Sequence, residues 1–77
     1  MNREEDRMEN WWWFIKVEGA DSLDDLVDKA ATYFENRWAQ PPQRMQVNRK
    51  WIEEDVVIDG IPVVPGPVPG DDLVLVQ

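Results

Sequence analysis

The sequence predicts an α+β domain in which one amphipathic helix packs on a small, mostly antiparallel sheet of three to five strands, in the order β-α-β-β-β. Three observations lead there. Residues 22–39 carry a start signal, a helical period and a stop signal; a short aromatic and β-branched run precedes them; and short apolar runs follow, two of them joined by Asp59-Gly60. An α-period segment flanked by strand-like runs must bury its apolar stripe on the sheet those runs form.

The chain has 77 residues, enough for one domain, and a domain of that size removes only about 60% of its unfolded surface from water. Five Trp, two Phe and one Tyr compensate, because large rings bury much area per residue. Cysteine and histidine are absent, so neither a disulfide nor a thiolate metal site can staple the fold. Sixteen acidic residues against eight basic ones give a net charge of −8. Direct nucleic-acid binding is disfavoured by that field, whereas a basic protein is attracted by it. The apolar run Trp11–Val17 is too short to cross a bilayer and has an acidic flank, so no membrane partner is expected and the protein reads as cytoplasmic.

Residues 1–10 read as a flexible acidic leader, with Met1 and Met8 as their only apolar members, and residues 11–77 as a single α+β domain. Trp11 to Glu18 forms the first strand, stopped by Gly19. Alternation puts Trp11, Trp13, Ile15 and Val17 on the face toward the helix, and Trp12, Phe14, Lys16 and Glu18 on the other. Trp12 and Phe14 are then candidates for an exposed interaction patch.

Ser22, with Asp25 three residues later, is a capping-box-like helix start. Leu23, Leu26, Val27, Ala30, Ala31, Phe34 and Trp38 recur on one face, Asp24, Asp25, Asp28 and Glu35 fall elsewhere, and Gln40-Pro41-Pro42 ends the helix. Early acids and a late Arg37 both oppose the macrodipole.

Gln43 to Ile52 fits a strand, with Met45, Val47 and Trp51 on one face and Arg49 interrupting; a helical reading of this segment has a thin stripe. Glu53, Glu54 and Asp55 break the pattern. Val56–Ile58 and Ile61–Val64 form a hairpin around Asp59-Gly60, the pair suited to the positive φ angles of a type I′ turn. Pro62 lacks an N–H, which puts the second arm at an edge or makes it short. Pro65 to Gly70 reads as a connection, so Gly66 should tolerate a side chain better than Gly60. Leu73 to Val76 is continuously apolar, as an inner strand is. The Val57 to Gly60 turn, then Gly70-Asp71 and a closing apolar strand, resembles the layout of small β-grasp-like domains; this chain departs from it in having one strand, not two, before the helix.

No catalytic set is evident. Without His or Cys, the single serine is accounted for as a helix cap, and the four glycines sit at turns or loops rather than in a phosphate-binding loop. Asp21, Asp24, Asp25 and Asp28 cluster at the helix start but lack the ligand alternation of a calcium loop, so no metal and no cofactor is expected. The expected function is that of a small non-catalytic interaction protein that binds a basic protein partner, as an inhibitor or nucleic-acid mimic. Trp12, Phe14, Glu18, Asp21, Asp24, Asp25, Asp28 and Glu35 are its candidate partner-binding residues. The alternative is a structural subunit, a homo-oligomer that self-associates through a sheet edge or the aromatic patch.

Overall fold

A computed structural model describes residues 12–77; the acidic leader at 1–10 and Trp11 lie outside the described residues. The chain forms β1 (Trp13–Lys16), α1 (Leu23–Trp38), β2 (Met45–Asn48), β3 (Val56–Ile58), β4 (Ile61–Gly66) and β5 (Leu73–Val76). All five strands belong to one sheet, in the order β1-β5-β2-β4-β3, with the helix on one face. The class is the α+β one that the sequence predicts. A single strand precedes the helix among the described residues, as expected, rather than the two of the β-grasp layout.

Three of the four pairings are antiparallel, and β2 with β4 is parallel. The mixture follows from the hairpin. After β2 the chain descends through β3, turns, and inserts β4 between β3 and β2, so β4 must run in the direction of β2. Parallel pairing needs a connection of about a dozen residues, and the segment 49–60 supplies it.

The helix begins where its cap chemistry places it. Ser22 is extended, and its Oγ accepts a hydrogen bond from the Asp25 backbone N–H at 3.2 Å. The reciprocal bond differs from a regular capping box: Asp25 Oδ2 accepts from the N–H of Asp21 at 3.2 Å, one residue earlier, and also from Lys29 Nζ at 2.9 Å. At the other end Ala39 takes a left-handed conformation (φ 57°) and donates its N–H to the Glu35 carbonyl at 2.8 Å, so the helix turns off one residue before Gln40-Pro41-Pro42.

Leu26, Val27, Ala30, Ala31 and Phe34 are buried against Ile15, Val17, Val74, Val76, Met45, Val47 and Val63. Ile15 and Val17 face the helix, as alternation requires. Trp13 and Trp38 close the end of this layer, with ring centroids 4.4 Å apart, and both remain half-buried.

Three local expectations change. The segment 43–52 is a strand only as far as Asn48, whose Oδ1 accepts from the Lys50 N–H at 2.8 Å while its carbonyl accepts from Trp51 N–H at 3.0 Å. Asn48 thus ends the ladder with a side chain that substitutes for a strand partner. Trp51 leaves the sheet and donates its indole N–H to the Asp71 carbonyl at 2.7 Å. Second, β4 is six residues long and internal in spite of Pro62. In a two-residue hairpin Ile58 and Ile61 exchange hydrogen bonds, so Pro62 opposite Val57 turns its nitrogen away from β3, toward a level where β2 has not yet begun. Pro65 turns its nitrogen toward the β3 side, beyond the start of β3 at Val56. Each missing donor falls where no ladder bond was available. Third, Pro65 and Gly66 belong to β4 rather than to a connection, opposite Val47 and Asn48.

The backbone of the caps and turns yields two predictions. Ala39 holds a conformation that costs an L-residue about 1–2 kcal/mol; allowing for the greater unfolded-state freedom of glycine, Ala39→Gly is expected to stabilise the protein by about 0.5–1 kcal/mol. Urea denaturation checks this, and a destabilised variant would show that the helix does not end at Ala39. Asp59 and Gly60 have φ angles of 52° and 79°, as a type I′ turn demands. Gly60→Val should therefore cost about 1–3 kcal/mol through backbone strain. Gly66→Val should cost at least as much, reversing the ranking expected from sequence, because Gly66 is buried and a Cβ there would stand 3.1 Å from the Cβ of Gln46. Melting temperatures of the two variants decide the order.

Candidate interaction surfaces

The helix lies on one face of the sheet, which makes its outer side and the opposite sheet face two surfaces on opposite sides of the molecule. The candidate residues divide between them. At 100° per residue, Asp24, Asp28 and Glu35 fall within an arc of about 40° along one flank of α1. Lys29, Tyr33 and Arg37 follow the other flank, and Tyr33 is 57% exposed.

The acids differ in their company. Asp25 pairs with Lys29 at 2.9 Å, one turn along the helix, and Glu18 with Lys16 at 3.6 Å. The Lys29 ammonium, then the Asp21 backbone N–H, hold the Asp25 carboxyl below the ordinary carboxylate range. Asp21, Asp24, Asp28 and Glu35 have no ion-pair partner among the described residues. Of the basic side chains near the far end of the sheet, Lys50 is engaged by Asp71 at 2.8 Å, which lowers the Asp71 pKa and raises that of Lys50. Among the described residues no group of three carboxylates is placed to hold a metal ion, and no helix is long and apolar enough to cross a membrane.

On the open sheet face the registers place Phe14, Leu75, Gln46 and Val64 in one row across four strands, and Pro62 beside Val57 next to it. Phe14 is 60% exposed and Val57 70%. Trp12 is half-buried rather than open, and the Arg44 guanidinium lies 5.5 Å from its ring centroid. Arg44 is itself held by a hydrogen bond from Nε to the side-chain carbonyl of Gln77. A shallow cleft of about 470 Å³ runs between Trp12, Arg44, Gln46, Pro62 and Val64.

Phe14 and Trp12 therefore share a surface with each other and not with Asp24, Asp28 and Glu35. Sequence reasoning missed Val57, Pro62, Val64 and Leu75 as members of the open face. The signal for the first two was available, since an Asp59-Gly60 turn fixes Val57 opposite Pro62.

Two exposed ion pairs set a pH dependence. Asp25 and Asp71 are depressed in the folded protein, so their contribution is fully present above the ordinary carboxylate pKa of about 4 and is lost as pH falls through the depressed folded values. The Tm difference between the wild type and an Asp25→Asn, Asp71→Asn double variant should thus be present at neutral pH and shrink toward zero below about pH 4. Thermal melts over that range test this; a difference that stayed constant in strong acid would assign it to hydrogen bonds that the amides also lose.

The chain matches no protein-family model, and comparison with curated proteins and with solved structures likewise returned no match.

Proposed function

We propose that this is a small non-catalytic interaction protein of the cytoplasm that binds a basic protein partner through the Asp24, Asp28 and Glu35 flank of α1, in the manner of an inhibitor or nucleic-acid mimic. The observation that supports it is the combination of alignment and freedom: three exposed carboxylates on one flank, spaced by about 6 and 10 Å along the helix axis, with no ion-pair partner among the described residues. Acids kept for solubility alone have no need to share an arc. A rigid helix that presents them in a row gives a basic groove fixed charges to meet, and the net charge of −8 speeds the encounter.

Glu18 and Asp25 are the weaker candidates, since each already has a lysine. Trp12 and Phe14 belong to a different docking event, because one compact partner on the helix flank does not reach the opposite sheet face.

The test is capture from the source cell with the immobilised wild-type protein, compared with an Asp24→Asn, Asp28→Asn, Glu35→Gln variant and with Trp12→Ala. The expected result is a basic protein retained by the wild type and by Trp12→Ala, lost by the triple variant, and released as salt rises. Equal retention by the triple variant at low and at physiological salt would overturn the electrostatic reading. Loss with Trp12→Ala alone would move the site to the sheet face.

A further inference from the structure

The two edges of the sheet are unlike. The register of β1 on β5, with the Val17 N–H donating to the Asp72 carbonyl at 2.7 Å, fixes which residues face inward: Val17, Ile15 and Trp13 bond toward β5. Phe14 and Lys16 therefore direct their N–H and C=O groups out of the sheet, where no described residue meets them. At the other edge only Val57 points outward. That strand is three residues long and is flanked by Asp55 and Asp59. Short length and charge are ordinary protections of an edge. β1 has neither a bulge nor a proline. Its one lysine is drawn along its own molecule, 3.6 Å from Glu18 and 3.9 Å from Asp72, so it does little to guard the edge.

We propose that β1 is the seam of a homodimer, in which two copies pair antiparallel across a two-fold axis at Ile15 to make a continuous ten-stranded sheet. This register is selected by the residues themselves. Centred on Ile15, it sets Phe14 of one copy opposite Lys16 of the second in both halves of the seam, forming four main-chain hydrogen bonds with strand residues alone. Each lysine, held only by the long, exposed pairs to its own Glu18 and Asp72, then swings across to cover an otherwise exposed phenyl ring and finds no like charge opposite. Centring on Lys16 would set lysine against lysine. Centring on Phe14 would require ladder bonds from Trp12, which precedes the strand. A slip of one residue would put the open face of one copy beside the helix-covered face of the other. The self-complementarity of this one register is what identifies a second copy as the occupant. A single strand seam buries less area than a standard interface, so the dimer forms at high concentration, and added salt favours it by screening two charges of −8.

Sedimentation velocity on the full chain from micromolar to millimolar concentration tests the proposal, alongside backbone amide spectra. The mass should rise from 9.1 kDa toward twice that value. The amides of Phe14 and Lys16 should shift with concentration, and those of Ile15 and Val17, already bonded to β5, much less. Phe14→Lys, a change at an exposed side chain, should abolish dimerisation by setting like charges opposite, whereas Phe14→Glu should preserve it by facing Lys16. A chain that stays at 9.1 kDa at millimolar concentration overturns the seam. So does a dimer that survives Phe14→Lys, or one whose concentration-dependent shifts fall on Val57 and Leu75 while the Phe14 and Lys16 amides stay fixed. Neutralising Asp24, Asp28 and Glu35 should leave the dimer intact, which keeps this result separate from that for the helix flank.

Discussion

Burial of the Leu26, Val27, Ala30 and Phe34 stripe against Ile15, Val74 and Val76 is the contact on which the rest of the molecule depends. With no disulfide and no metal ligand set of Cys and His, the core has only apolar area to draw on. Ala30 and Ala31 sit at the middle of the helix face, and their small side chains let the helix axis approach the strands while Leu26 and Phe34 fill the space on either side. A helix of 16 residues is about 24 Å long, and it can cover only one side of a five-stranded sheet. The open face, with Phe14 and Val57 exposed, follows from having a single helix.

What was legible in the sequence is what short-range chemistry determines. Ser22 and Asp25 start the helix, the 3.6-residue period orients it, and Asp59-Gly60 forms its hairpin because its φ angles are set within two residues. The strand order was not legible. Whether β5 enters between β1 and β2 depends on contacts between residues about 60 positions apart, and nothing local in Leu73–Val76 says more than that it is inner. The errors have the same origin. The missing donor of Pro62 predicts an edge position or a short arm, but the rule concerns only the side to which the nitrogen points, and that side is fixed by register. Gly66 looked like loop because prolines surround it, whereas Pro65 and Gly66 complete a parallel pairing with β2 that only the tertiary fold supplies.

For the candidate residues, the sequence indicates the face on which each lies but not which of them share a surface. Alternation already turns Trp12 and Phe14 away from the helix, and the helical period already turns Asp24, Asp28 and Glu35 away from the sheet. In a two-layer domain those two statements place the aromatics and the acids on opposite sides. Partnering was less legible. Asp25 and Lys29 are at the favourable i, i+4 spacing and do pair. The spacing of 21 residues between Lys50 and Asp71 gives no such cue; they meet because Asn48 stops β2 and its amide donates to the Val68 carbonyl at 2.7 Å, pinning the loop that carries Asp71.

Charge placement separates the surfaces further. Among the described residues, four basic side chains are occupied: Lys16 with Glu18 and Asp72, Lys29 with Asp25, Lys50 with Asp71, and Arg44 with Gln77 over the Trp12 ring. Among the described residues, the carboxylates without an ion pair therefore include those of the helix flank and of the stretch Glu53 to Asp55 leading into β3. One consequence is that negative charge protects the β3 edge from strand addition and the helix flank from apolar contact. The β1 edge, where an aromatic and an internally paired lysine alternate, lacks this protection. A domain with a net charge of −8 repels copies of itself at long range, so close approach is favoured where backbone donors and acceptors are left open. Among the described residues, Phe14 and Lys16 of the β1 edge meet that condition.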